Sequence, residues 1–213
     1  MEIWYTLTGD VEKRSAQDAI QWINEQLYSK PVTHLRFLVA SAGGDIDTGT
    51  NLYMYLKSLP VEVETIGFGV VDAAAALIFL GGKKRLAVDG CRFFFHEGQY
   101  TVPLQTAPLS SHEEALSVFR RNLHEMIYII ARETGNDTEV VANMLRKSKI
   151  MQTSEALEFG LCSDIIEKLP LQQQEAGFGF RESGSIERES RPLSKRRAQP
   201  LRAESEDDRR IDQ

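Results

Sequence analysis

The 213-residue chain has only two cysteines, Cys91 and Cys162, no excess of basic charge, no long apolar run and, from residue 65 to residue 98, no serine. Each shortage excludes something. Two thiols fit a reducing compartment and rule out a disulfide framework, though they permit one bridge. A net charge of -6 and a pI near 5.3 argue against a nucleic-acid surface. Phosphate binding needs Lys and Arg clustered on one face, and the first 170 residues hold no such stripe. The most apolar stretch, Val70 to Gly82, contains Asp72 and falls far short of the roughly 20 residues a membrane helix needs. Met1-Glu-Ile-Trp-Tyr-Thr-Leu-Thr8 lacks a basic region followed by an apolar core, so nothing marks export and a cytoplasmic location is expected.

What is present is a βα rhythm. Ile3 to Thr8 reads as a strand, and Ala16, Ala19, Ile20, Ile23 and Leu27 follow at helical spacing. Leu35 to Ala40 reads as a second strand, Ile46 to Leu59 as a helix, Val61 to Ile66 as a third strand and Val70 to Leu80 as a buried helix. Arg85 to Val88 and Arg92 to Phe95 read as two more strands. Strands alternating with helices imply crossover connections and a largely parallel sheet. From Ser111, one apolar stripe through Leu116, Phe119, Leu123, Met126, Ile127 and Ile130 predicts a long helix, with Ser110 or Ser111 as N-cap and Gly135 as its stop. Shorter helices are expected over Asp137 to Leu145 and Ser154 to Phe159, and a last strand near Ile165. The expected domain covers residues 1–170. Beyond it, residues 171–213 carry nine basic and nine acidic side chains with only isolated apolar ones. Such a composition predicts a disordered, solvated tail.

Acyl-transfer chemistry needs backbone N–H donors for an oxyanion, a nucleophile at a tightly held helix start and a histidine within reach of it. Gly43-Gly44 at the end of an apolar run offers donors, although glycines there also suit a plain strand-to-helix turn. Gly69-Val-Val-Asp-Ala-Ala-Ala-Ala76 puts small residues where a strand enters a buried helix. His96 ends a strand of three phenylalanines, a setting shared by buried structural histidines and by catalytic ones. His124-Glu125 suggests zinc, but the position four after His124 is Tyr128, and the motif fails. No metal or cofactor is expected.

In this order and at these separations the segments resemble the Clp protease proteolytic subunits of the Clp/crotonase superfamily, over roughly residues 2 to 168. Ser41-Ala-Gly-Gly44 is similar to the family's Ser-Pro-Gly-Gly oxyanion loop, and Thr65 to Leu77 to the segment carrying its nucleophile. Arg92-Phe-Phe-Phe-His96 looks like the strand ending in the triad histidine. Thr153-Ser-Glu-Ala-Leu-Glu-Phe-Gly-Leu161 is similar to Ser-Ala-x-Glu-Ala-x-x-Tyr-Gly-Leu. The resemblance implies an α/β fold of repeated ββα units wound as a superhelix, with a protruding long handle helix. It puts the nucleophile position at Ala73, the general base at His96, the oxyanion donors at Gly44 and Ala74, and the triad aspartate position near Ser148. Ala73 cannot attack a carbonyl, so a pseudoenzyme is implied, acting structurally or in regulation within stacked rings of seven. Peptide or protein would be the substrate of an active form.

Departures from the family pattern carry weight. The chain begins almost at its first strand, where family members carry a segment that engages a ring ATPase, which puts ATPase coupling in question. Residues 97–109 lack the glycine-rich strand on which the family lays substrate. Three rival readings stand beside the first. One is an active ATP-dependent-type serine endopeptidase whose serine was changed to Ala73, another a crotonase-like acyl-CoA enzyme, and the third a binding module acting through its tail.

Overall fold

Along β2 (His34–Ser41), Leu35, Phe37, Val39 and Ser41 are buried on one face of the pleat, against the helices. The computed structural model describes residues 1–98 and 108–170. In it β2 is flanked by β1 (Glu2–Thr8) and β3 (Glu62–Asp72), with α1 (Lys13–Ser29) and α2 (Ile46–Ser58) as the crossovers. There follow α3 (Ala74–Leu80), β4 (Lys84–Val88), β5 (Arg92–Phe95), α4 (Leu109–Thr134), α5 (Thr138–Arg146), β6 (Lys149–Gln152), α6 (Thr153–Glu158) and β7 (Asp164–Ile166). The strand order is β1-β2-β3-β4-β7, every pair parallel, as crossover helices require. This is the α/β architecture that the βα rhythm implies. The tail and the segment 99–107, including most of the region after His96, lie outside the described residues.

β3 departs from its neighbours by changing partner along its length. Glu64 to Gly67 pair with β4, whereas Val70 to Asp72 pair with β5. Against β2 the register passes from Val39↔Gly67 to Ser41↔Val71, so extra residues are accommodated where Gly69 takes φ +64. Val70 to Asp72 are therefore strand, and the helix expected from Val70 begins only at Ala74. An apolar pair followed by alanines carries no period that separates strand from buried helix. Pairing with β5, distant in sequence, decides it.

All seven side chains of α3 are buried. Burial of Leu77, Ile78 and Phe79 contributes about 1.5–3 kcal/mol each. Small residues let α2 approach: a Cβ on Gly49 would stand 2.7 Å from the Ala74 carbonyl oxygen. Thr65 Oγ1 ties β3 to the end of α3 through the Phe79 carbonyl at 2.6 Å. The outer sheet face carries a smaller apolar cluster of Leu38, Ile66 and Leu86 with Trp4 and Phe68.

The long helix α4 starts at Leu109 behind Pro108, so Ser110 and Ser111 sit inside its first turn and neither caps it. Proline suits that place because it has no N–H to satisfy. Gly135 stops the helix as expected, at φ 75. Its buried residues begin only at Asn122, so the N-terminal half has no buried side chain. Near its other end, Glu133 gathers Tyr53 at 2.7 Å, Lys57 at 2.7 Å and Arg85 at 3.6 Å. Arg132 also donates to the Tyr53 hydroxyl. Arg85 donates in turn to the carbonyls of Leu161 and Gly160, joining β4 to the end of α6.

Burial alone would raise the Glu133 carboxyl, but the bonds from Lys57 and Tyr53 and the charges of Lys57 and Arg132 outweigh it and hold it below its ordinary value. A depressed carboxyl stabilises the fold above its unfolded value and ceases to do so as pH falls through the folded one. Glu133→Gln is therefore expected to cost about 1–3 kcal/mol at pH 7. That difference from the parent should shrink in urea titrations below the ordinary carboxylate range. A difference that persists unchanged in acid would show that Glu133 does not act as the charged hub.

Candidate active site

Three loops converge at the carboxyl ends of β2, β3 and β5, the end of a parallel sheet where ligands bind. After β2, Gly43 and Gly44 take φ +95 and +150. No larger residue fits. A Cβ on Gly44 would lie 2.3 Å from the Val11 carbonyl oxygen, and one on Gly43 would lie 2.7 Å from the Asp72 oxygen and 3.0 Å from Ala73 Cβ. The loop is pinned by Val11 N–H to Gly43 O and by Asp45 N–H to Val11 O, each 2.8 Å. Among the described residues the Gly44 N–H is given no acceptor, so it remains available as a donor.

Ala73 links β3 to α3 at φ 47 and ψ -116. A non-glycine residue rarely enters that region, and such outliers collect at functional sites. Its N–H donates to Phe94 O at 2.8 Å and its carbonyl accepts from Ala76 N–H at 3.0 Å, which fixes a sharp strand-to-helix elbow. Asp72 and Phe94 are register partners, so Ala73 and His96 leave neighbouring parallel strands at nearly the same level. The His96 ring stacks on Phe94 with centroids 4.9 Å apart, and its Nδ1 accepts the Gly98 N–H at 3.0 Å.

Ala73, His96 and Gly44 line one cavity of about 450 Å³, completed by Ile46, Phe119 and Met126. Ala74 begins α3 beside them and is fully buried. Ser148 has φ 51 and precedes β6. The antiparallel register Phe95↔Lys149, carried one step further, sets Ser148 across from His96. Its N–H goes to Leu145 O, and no hydrogen bond joins it to the ring.

Several side chains at the site escaped sequence reasoning. Asn122 is buried, lines the cavity and donates to Asp47 at 2.9 Å. As a polar residue flanking the apolar stripe of α4, it was detectable in principle. Asp45 also lines the cavity, and it caps α2 through Thr48 N–H at 2.8 Å. Asp72 is buried and holds Arg92 at 2.9 Å, so its carboxylate is committed to β5 and supplies no substitute nucleophile. Cys91 offers none either. Burial, with Cys162 and Asp72 nearby, pushes its thiol up to about 12. Among the described residues no group of three or more His, Cys, Asp or Glu could hold a metal ion, and none of their helices is long and apolar enough to cross a membrane.

A protein-family model described as Clp protease matches residues 3–169. ATP-dependent Clp protease proteolytic subunit 2 of Treponema pallidum is 30% identical over 167 residues, covering 76% of this chain and 81% of that protein. The proteolytic subunit of Paracoccus denitrificans is 27% identical, covering 68% and 77%. Among solved structures, a ClpP1 mutant from Listeria monocytogenes superposes with a TM-score of 0.68 at 20% identity, over 78% of this chain and 91% of that one. The crotonase-like acyl-CoA reading gains nothing from these likenesses.

The elbow at Ala73 makes a stability prediction. At φ 47 a β-carbon is strained, so Ala73→Gly should stabilise the protein or leave it unchanged, while Ala73→Val should cost about 2 kcal/mol or more. Thermal unfolding of the two variants checks this; a harmless valine would contradict the elbow.

Proposed function

The chain belongs to the Clp protease family, and from that premise we propose that it is a ring-forming subunit of the family that does not cleave peptides as written. The observation that carries the reading is Ala73. The elbow, the His96 ring and the Gly43-Gly44 loop meet at one cavity, and the side chain in the elbow is a methyl group. Without a nucleophile, binding and oxyanion donors leave at most a roughly thousandfold remnant of catalysis. In this reading His96 occupies the base position, Gly44 and Ala74 the oxyanion donors, and Ser148 the place of the carboxylate that orients the histidine. The protein then works as a scaffold or regulator within an assembly of its own copies, stacked rings of seven by family resemblance. In the N-terminal half of α4, Leu109 and Val118 are 72% and 41% exposed among the described residues, which supports assembly because those apolar side chains gain from a partner.

A second reading has one observation behind it. An alanine has no chemical use for the φ 47 elbow, yet the elbow is kept, which favours an active endopeptidase whose serine was replaced at this position. The genomic codon for residue 73 separates the two.

The test is hydrolysis of fluorogenic peptides by the full chain, with a serine-reactive fluorophosphonate probe and native mass spectrometry alongside. No turnover, no labelling and a mass that is a multiple of seven subunits are expected. Turnover or labelling of the chain as written would overturn its incompetence, and a monomer would overturn the ring.

A further inference from the structure

A backbone amide only donates, so where the Gly98 N–H points at His96 Nδ1 from 3.0 Å, Nδ1 of the neutral ring holds the lone pair and the ring proton sits on Nε2. A general base in a hydrolytic triad needs the reverse arrangement. Its Nδ1–H donates to an orienting carboxylate, and the Nε2 lone pair takes the nucleophile's proton. We propose that the Gly98 N–H fixes neutral His96 as the Nε2–H tautomer, turning the ring into a hydrogen-bond donor that holds a peptide carbonyl oxygen in the cavity. The inference rests on the reading of residues 73 and 96 as the former nucleophile and base positions.

Three further observations support it. The stack on Phe94 fixes the plane of the ring, and the Gly98 N–H fixes its edge, because a half-turn about Cβ–Cγ would keep the stack but lose that bond. Gly98 takes φ +81, a conformation that side chains rarely adopt, so a side chain at the residue that supplies this N–H would be strained. Among the described residues no carboxylate bonds to His96; the backbone register, carried one step past Phe95↔Lys149, sets Ser148 across from it.

The consequence for ligand class follows from the cavity wall. With Nδ1 occupied, Nε2 is the ring nitrogen left to serve the cavity that His96 lines together with Gly44, whose N–H has no acceptor among the described residues. Both are donors, so the complementary group is an acceptor. Asp45, the one carboxylate among the described residues of the wall, disfavours an anion and leaves a neutral carbonyl oxygen as the better match. Ile46, Phe119 and Met126 beside these donors suit the apolar part of the same peptide. Gly98 is thus a positioning residue, acting through His96.

Long-range ¹H–¹⁵N spectra of the full chain labelled in histidine, at a pH where the rings are neutral, test the tautomer directly. The His96 signal is assigned by its loss in His96→Gln, or in the native chain by its correlation with the Gly98 amide. The expected result is an unprotonated-type Nδ1 and a protonated-type Nε2 without averaging. A proton on Nδ1, or fast exchange between the two nitrogens, overturns the proposal. A second arm compares Ala73→Ser with Ala73→Ser/Ser148→Asp. A triad histidine in the wrong tautomer loses about 10⁴-fold in kcat. Ala73→Ser alone should therefore stay at least ~100-fold below the double variant in peptide hydrolysis. Equal activity of the two overturns the proposal. If neither variant hydrolyses peptide while the spectra show the Nε2–H tautomer, the tautomer stands, but the reading of residues 73 and 148 as triad positions fails and the peptide carbonyl as its ligand is overturned with it.

Discussion

The division of β3 between two partners is the constraint on which the site depends. Its first half pairs with β4 and its last three residues with β5. That switch lets β5 stand beside the end of β3, so Ala73 and His96 emerge side by side, while Ser41↔Val71 brings the glycine loop over both. The Asp72–Arg92 ion pair locks the last step, joining the two strands one residue before the elbow. Were β3 to stop at Ile66, where its sequence signal weakens, His96 would have no neighbour to act upon.

On the reading proposed for residue 73, local conformation and chemistry have come apart. The elbow at Ala73 and the packed glycines of the loop are costly backbone features of a kind that persist where surroundings over-determine them. They are determined by contacts that do not involve the side chain at 73: Phe94 O on one side, Ala76 N–H on the other, Val11 across the loop. A geometry held by backbone bonds outlasts the loss of the residue it serves. A histidine tautomer, in contrast, is held by a single bond at one nitrogen, and at His96 that bond comes from an amide rather than a carboxylate.

Much of the fold was legible in the sequence, because α1, α2 and α4 carry the helical period and β1 and β2 the strand period. The start of α3 was misplaced, since Val70-Val71 followed by alanines has no period and its state is set by β5. The strand β6 went unread because Lys149 to Gln152 buries one side chain among four, too short a pattern to stand out. The positions 44, 73, 96 and 148 came from family resemblance, and the structure adds that the first three share a cavity while the fourth immediately precedes β6, the strand paired with β5. The Gly98 contact was not legible at all. It depends on the backbone path three residues past the end of β5, and a glycine in the sequence does not say where its amide will point.

On the proposed reading, the family's cleft persists as a place that holds peptide without cutting it. The most direct measurement is a crystal structure of the assembled protein with a short apolar peptide bound. The account predicts an intact peptide, with one carbonyl oxygen between the Gly44 N–H and His96 Nε2 and an apolar side chain against Ile46 and Met126. A cleaved peptide, or a peptide bound elsewhere with this cavity empty, would contradict it.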